Sequence, residues 1–498
     1  MNIDLMIVNP GGRKETYQGL SSDLTAIEPP IWAGLITTFL LKRNRMVDLL
    51  DSNALGLSDS ETAKNISDKN PKAVAIIIYG HNPSASTQTM PAARALIEEL
   101  KKISYPGEII LVGGHVASLP RKSLTEEQVQ FICTGEGPHT LDDFIKYLNG
   151  EIKVNEVRGI CTKYNNQIIQ TPAAPLVENL DDEMPALPWH LLPMHKYRSH
   201  NWHAFGLESR SPYASIYTTL GCPYKCSFCC IQAPFKEGEE LKGLKKTVNT
   251  YRKWSAKSVL SQIDTLVKEY NVKNIKFADE IFVLDRNHVS EICNGLIERD
   301  YNLNIWAYSR VDTITDELAK KLIKAGIRWI CLGIETDNSP SQENVNKQFT
   351  SEQLRKSITI LKNNNINIIA NYIFGLEYDD QKSMEHTLNS ALKYDFDFAN
   401  FYCAMAYPGS DLYNQAVENK TPLPLSWGGY SQHSYNCLPM ATKYLSGPEV
   451  LRFRDDAFHN FFNSTKYLDH ILNKFGATTR DHIIEMSKKR LKRECLEK

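Results

Sequence analysis

The chain has 498 residues, 42% of them hydrophobic and 23% charged, with a formal net charge of −1. That length predicts two or three domains with ordinary cores, and near-neutral charge gives no global attraction to nucleic acid or a membrane surface. No stretch approaches the roughly 18 apolar residues that span a bilayer, and the opening MNIDLMIVNPGGRKE lacks the basic start of a signal peptide. A cytoplasmic location is the expectation, and thiols there stay reduced.

Residues 1–150 alternate short apolar runs with amphipathic stretches. Ile3–Val8, Met46–Leu50, Ala73–Tyr79, Glu108–Val112 and Val129–Cys133 read as strands, and Gln88–Lys102, with Ala92, Leu96, Ile97 and Leu100 on one face, as a helix. This is the pattern of a doubly wound, Rossmann-like parallel α/β sheet, which binds ligands at the carboxyl ends of its strands. Small and polar residues follow all five runs: Asn9 in NPGG, Asp51 and Asn53 in DSNALG, Ser84 and Ser86 in GHNPSAS, Gly113 and Gly114 in GGHVAS, and Gly135 and Glu136 in GEGPHT. They either cradle a wide ligand or simply make tight turns.

Residues 151–213 read as a connector, with a hairpin turning at Asn165-Asn166 and a Pro-rich aromatic strap, MPALPWHLLPMHKY. His190, His195, His200 and His203 lack any regular ligand spacing and read as structural. Residues 214–430 repeat the βα pattern, with strand-like runs at Ala214–Thr219, Asn274–Ala278, Asn304–Tyr308, Ile327–Leu332, Asn367–Ile373 and Phe396–Cys403. Six units fall short of the eight that close a TIM barrel, so a partial (β/α)6 barrel is expected. Residues 431–498 form a mixed, then helical region. Tyr430, Tyr435 and Cys437 are candidates for a pocket wall or for plain packing.

Eleven cysteines occur. Cys133, Cys161, Cys293, Cys331, Cys403, Cys437 and Cys495 are scattered and read as small buried hydrophobes. Cys222, Cys226 and Cys229 form a CxxxCxxC set directly after the first barrel strand, in TTLGCPYKCSFCC. Closely spaced cytosolic thiolates suit zinc or iron–sulfur. Zinc structural sites take four ligands, and no second pair follows. Three thiolates on a [4Fe–4S] cluster leave one iron with an open position. Cys230, adjacent to the third cysteine, reads as packing behind the loop.

This stretch, with Phe228 before its third cysteine, resembles the signature of the radical S-adenosylmethionine superfamily. The resemblance implies a [4Fe–4S] cluster whose open iron chelates S-adenosylmethionine and cleaves it to a 5′-deoxyadenosyl radical. It also implies S-adenosylmethionine contacts at successive strand ends: Asp279 and Glu280 in FADEIF, Ser309 and Arg310 in AYSRVD, Gly333 and Glu335 in CLGIET.

A sheet domain ahead of such a barrel resembles the cobalamin-dependent members, which implies cobalamin on Asn9, Asp51, Asn53, Ser84, Ser86, Gly113, Gly114, Gly135 and Glu136. Related cobalamin domains carry DxHxxG, whose histidine ligates cobalt. Here the spacing reads Asp51-x-Asn53-x-x-Gly56, so a lower cobalt face without histidine is expected. The function implied is methyl transfer from methylcobalamin to an unactivated carbon after hydrogen abstraction. Alternatives are a non-methylating rearrangement, cyclisation or oxidation, a cobalamin-binding sensor, or a methylthiotransferase; the last needs three N-terminal cysteines, where only Cys133 and Cys161 precede the motif. Expected partners are a small-molecule or peptide substrate and an external electron donor such as flavodoxin or ferredoxin, without nucleic acid.

Overall fold

The computed structural model describes residues 3–80 and 85–497. Strands β1 (Leu5–Asn9), β2 (Val47–Asp51), β3 (Ala73–Ile77), β4 (Glu108–Val112) and β5 (Phe131–Cys133) pair in parallel, and β6 (Ile160–Tyr164) and β7 (Gln167–Gln170) extend the sheet antiparallel, in the order β2-β1-β3-β4-β5-β6-β7. The hairpin assigned to a connector is thus the outer edge of this sheet. Its two-residue turn places Asn165 (φ 48°) and Asn166 (φ 64°) in the left-handed region, which asparagine tolerates without a glycine. Strand order reverses between β1 and β3, the kind of crevice where open α/β sheets hold ligands. Helices cover both faces, so β1 is apolar as far as Val8: Leu5 and Ile7 enter one core, Met6 and Val8 the other.

The second body follows from β8 (Tyr213–Ile216). A short antiparallel ribbon, β9 (Thr219–Leu220) with β10 (Arg252–Lys253), brackets the cysteine loop. Strands β11 (Asn274–Phe277), β12 (Asn304–Arg310), β13 (Ile327–Glu335), β14 (Asn367–Phe374) and β15 (Phe398–Cys403) then complete a six-stranded, all-parallel sheet in the order β15-β14-β13-β12-β11-β8. This is the partial barrel expected from six βα units. Helices between strands carry the apolar stripe that the spacing predicts; Val259, Ile263 and Leu266 of the helix Ala256–Tyr270 are buried, and Ser255 caps its N-terminus.

The connector closes the end of the barrel where the strands begin. Trp202 packs on Trp306, Trp329 and Phe398, each near the start of its strand. Glu28 enters beside it and pairs with the buried ammonium of Lys276 at 3.2 Å. His200 lies 3.6 Å from the same carboxylate and stacks on Trp202, and His203 is fully buried, so both serve structure. Helices Gly447–Phe462, Thr465–Phe475 and Ala477–Ser487 form the C-terminal region, the first lying against β15. With the strand N-termini sealed, the opposite mouth faces the N-terminal sheet.

Candidate active site at the barrel mouth

The cysteine loop leaves β8 and is fixed by its neighbours at every turn. Asp279, at the end of β11, accepts hydrogen bonds from Thr218 N (2.6 Å), Thr219 N (3.0 Å) and the Thr218 hydroxyl (2.5 Å). Gly221 has φ 85°, and a Cβ there would lie 2.3 Å from the Thr250 carbonyl oxygen, so glycine is required on both counts. Asn249 Nδ2 donates to the carbonyls of Cys222 and Tyr224, at 2.9 Å each, and Gln232 Oε1 accepts from Cys222 N at 3.3 Å. The Arg310 guanidinium lies 4.2 Å from the centroid of the Tyr224 ring. Leu412 N donates to Ser227 O at 2.9 Å, and Phe228 packs against Val345, Leu376 and Ala404. A loop without regular structure is thereby held as rigidly as a strand.

Cys222, Cys226 and Cys229 all line one cavity of about 1340 Å³, its open mouth included, together with Glu280, Ser309, Arg310, Gly333 and Glu335. Five of the six strand-end residues expected to meet S-adenosylmethionine thus converge with the thiols. The sixth, Asp279, does not: it is fully buried and occupied by the loop backbone, a positioning role in place of the expected contact. Among the described residues no three His, Cys, Asp or Glu side chains converge on a single-ion position. A cuboidal cluster asks for a different donor set, three soft thiolates each meeting its own iron, and the loop presents that set.

The charges in the cavity form two pairs of unlike character. Glu335 sits at φ 65°, at an irregularity in the β13–β14 register, and accepts from Lys347 Nζ at 2.6 Å. Burial opposes the charge on Lys347, yet Glu335 and then the Cys226 thiol hold its pKa above the usual lysine value. A Cβ at Gly333 would lie 2.5 Å from Lys347 Nζ, so glycine makes room for this ammonium. Arg310 pairs with Asp312 at 3.0 Å. Glu280 has no hydrogen-bond partner among the described residues, and burial pushes its pKa up to about 7. Burial likewise pushes Cys222 up to about 12 and raises Cys226 and Cys229, so the bare thiols stay protonated until a metal displaces the proton.

A second, narrow cavity of about 30 Å³ lies between the two domains. The sheet side contributes Trp32, Tyr79, Gly80, Ser86 and Gly114, and the barrel side Tyr217, Cys230, Ile231, Pro234 and Phe235. Trp32 stacks on Tyr79 with centroids 4.5 Å apart. Glu280 and Cys230 line both cavities, so the two spaces adjoin at these residues. Cys230, unlike the three spaced cysteines, is buried, in a core shared with Met405 and Tyr407. With the two domains packed this closely the space is about that of one water, so a large flat ligand there needs the domain faces to part.

The cobalamin candidates divide sharply. Ser86 and Gly114 line the interdomain cavity, and Gly113 (φ 156°) is forced by close approach, a Cβ there lying 1.9 Å from the Ile78 carbonyl oxygen. Ser86 Oγ bridges the Ile78 carbonyl and His115 N. Gly135 is near the interface, its Cβ position 4.0 Å from Pro234 O, but lines neither cavity. Asp51 and Asn9 are drawn elsewhere: Asp51 accepts from Asn9 Nδ2 (2.7 Å), Ala54 N (3.1 Å) and the Tyr197 hydroxyl (2.8 Å), tying β1 and β2 to the connector. Asn53 follows β2, the outer strand, and lines neither cavity. Glu136 accepts from Arg252 at 2.7 Å and from Val177 N at 2.9 Å, a buried pair that clamps the sheet domain to the ribbon. Ser84 lies outside the described residues.

Sequence reasoning missed Lys347, Tyr224, Asn371, Tyr402 and Gln432 in the main cavity. Gln432 pairs through its amide with both Cys403 N and Cys403 O at 2.9 Å, closing the exposed end of β15 as a further strand would. Of the other C-terminal candidates, Tyr430 is buried against Tyr407, Tyr435 is 45% exposed, and Cys437 is buried beside Cys495; none lines the main cavity.

Comparison with known proteins matches residues 216–391 to the radical SAM superfamily and residues 19–145 to a B12 binding domain. Over 441 residues the chain is 25% identical to "Uncharacterized methyltransferase PH0819" of Pyrococcus horikoshii, covering 88% of this chain and 89% of that protein. Over 408 residues it is 26% identical to an anaerobic magnesium-protoporphyrin IX monomethyl ester cyclase of Rubrivivax gelatinosus, covering 80% of this chain and 68% of the cyclase. The fold is similar to that of the radical S-adenosylmethionine methyltransferase TsrM of Kitasatospora setae, with a TM-score of 0.67 at 15% identity over 98% of this chain and 99% of that one.

Proposed function

The chain is a cobalamin-dependent radical S-adenosylmethionine enzyme, built from a B12-binding domain and a radical SAM domain, and we propose that it is a methyltransferase acting at a carbon atom. The observation that carries this reading is the adjoining of the two cavities at Glu280 and Cys230. A methyl group held on one side and a carbon centre activated on the other meet there. When bound, the cluster, S-adenosylmethionine and cobalamin supply reductive sulfonium cleavage and a transferable methyl group.

The chain's own residues prepare that meeting. Cys222, Cys226 and Cys229 would hold the cluster as its three thiolate ligands. Glu280, unpartnered, pairs with an ammonium, and binding that cation draws its carboxyl back to the ionised form. Lys347 and Arg310 supply charge for a carboxylate on the opposite side, each already held in place by Glu335 and Asp312. Tyr308, Ile373, Tyr402 and Met405 give an apolar wall that keeps water from the reacting carbon. Similarity to a protein described as a methyltransferase supports the reaction; similarity to the ester cyclase supports a second reading, a ring closure or oxidation without methyl transfer.

The products separate the two. Anaerobically reconstituted enzyme, supplied with cobalamin, S-adenosylmethionine, a reductant and candidate small molecules or peptides, is expected to form both 5′-deoxyadenosine and S-adenosylhomocysteine. Formation of deoxyadenosine and a converted substrate without S-adenosylhomocysteine contradicts methylation and selects the second reading.

A further inference from the structure

The cavity occupies one side of the cysteine loop; the other side faces solvent. Pro223 and Lys225, which alternate with the first two cysteines, are exposed. Folded against them is the segment 241–248, which exposes Leu241 (56%), Lys242, Lys245, Lys246 and Val248 (45%). The contact is direct: Lys225 Nζ donates to the Lys246 carbonyl at 2.9 Å, and Asn249 just beyond holds the Cys222 and Tyr224 carbonyls. Four lysines therefore lie on the loop or on the exposed segment hydrogen-bonded to it. Two carboxylates offset them, Glu178 at 2.9 Å from Lys242 and Glu240 at 3.8 Å from Lys246, and Lys245 pairs with no carboxylate among the described residues. In a chain of net charge −1 this excess is local.

We infer that this face, Pro223, Lys225 and the segment 241–248, docks a small acidic one-electron carrier protein. The inference rests on reading the cysteine loop as the holder of a cluster. Reduction of that cluster needs one electron from outside; the carrier is oxidised by one electron, the cluster is reduced by one, and no bond or proton is exchanged. Two features fit the task. The lysines steer an acidic partner and orient it, an effect that salt screens over about 10 Å at 0.1 M. Pro223, Leu241 and Val248 supply the apolar contact that a brief complex needs beside its charged rim. The covered side of the loop, where Phe228 and Cys230 pack into the core, offers no such approach.

The test uses reconstituted holoenzyme and a bacterial flavodoxin as the probe. The triple substitution Lys242→Glu, Lys245→Glu, Lys246→Glu is expected to weaken flavodoxin binding at low salt at least tenfold and to slow cluster reduction by flavodoxin hydroquinone to the same degree. Lys245→Glu alone gives an intermediate loss, and high salt removes the difference from wild type. Cluster content and reduction by dithionite, a small reductant that needs no docking face, stay unchanged. Unaltered binding and reduction by flavodoxin in the triple variant overturn the proposal. So does a face that binds heparin in a lysine-dependent way while flavodoxin is unaffected, which assigns it to a polyanionic ligand. Failure of wild-type protein to assemble a cluster on its three cysteines is a different result, and it refutes the reading of the loop itself.

Discussion

The barrel mouth and the edge of the N-terminal sheet both place polar residues at the ends of parallel strands, yet they use them differently. At the mouth, five of six strand-end candidates face open space with three thiols. At the sheet edge, Asp51, Asn9 and Glu136 are all drawn into contacts that hold the connector and the ribbon. The difference follows from what covers each edge. The barrel mouth is left open by an incomplete ring of strands, so its polar groups meet a cavity. The sheet edge is covered by the barrel and strap, and a buried carboxylate there must find a partner or lose its charge. A polar residue after a strand therefore signals a ligand only where no other part of the chain reaches it.

The largest expected effects test the open edge. Replacing Cys222, Cys226 or Cys229 by alanine removes one of three thiolates, and each variant is expected to lose the cluster's visible absorbance and all S-adenosylmethionine cleavage. Cys230→Ala keeps both. Loss of the cluster in Cys230→Ala, measured by iron and sulfide content, breaks the division between the three ligands and their neighbour.

The covered edge is tested next. Arg252→Met leaves the Glu136 carboxylate buried and unpaired at 2% side-chain exposure, a loss of roughly 3–5 kcal/mol. A matching fall in denaturant midpoint is expected, with cobalamin affinity lost only in proportion to unfolding. Affinity lost in a fully folded variant instead makes Glu136 a ligand contact. Asp279→Asn lies between the two regions, since its carboxylate anchors the cysteine loop through two backbone N–H groups and a hydroxyl. It is expected to cost about 1–3 kcal/mol and to lower cluster yield, while S-adenosylmethionine affinity per assembled cluster is unchanged.

Much of this was legible beforehand. The eleven strands of the two βα series sit where the apolar runs stand, within a few residues, because parallel strands buried on both faces leave an uninterrupted apolar signature. The cysteine spacing was equally plain. Lys347 left no such mark: it lies outside any strand end, and only the fold brings its ammonium to Glu335. Gln432 was hidden for the same reason, 29 residues from the Cys403 backbone that it pairs with. Asp279 and Glu280 are adjacent and alike in sequence, yet the alternation of the strand end sends one into the loop backbone and the other into the cavity.

Smaller effects sharpen the contrast. Glu280 has its pKa raised by burial from 4.5 to about 7. A carboxyl so raised favours the fold while protonated, so its contribution is full below pH 4.5 and is lost as pH rises through 7. The cofactor-free protein is expected to lose thermal stability over that window, and Glu280→Gln to flatten the loss; an unchanged slope in the variant contradicts an unpartnered Glu280. Asn53→Ala, in the short helix that follows the outer strand and lining neither cavity, is expected to change cobalamin affinity less than twofold.

The central claim is that the two cofactor spaces adjoin. Electron paramagnetic resonance of holoenzyme holding cob(II)alamin, with the cluster chemically reduced, tests it without any substrate. Magnetic coupling between the two centres, seen as broadening or splitting of the cobalt signal on cluster reduction and absent in Cys226→Ala, is the result expected. Two spectra that simply add contradict a shared wall at Glu280 and Cys230.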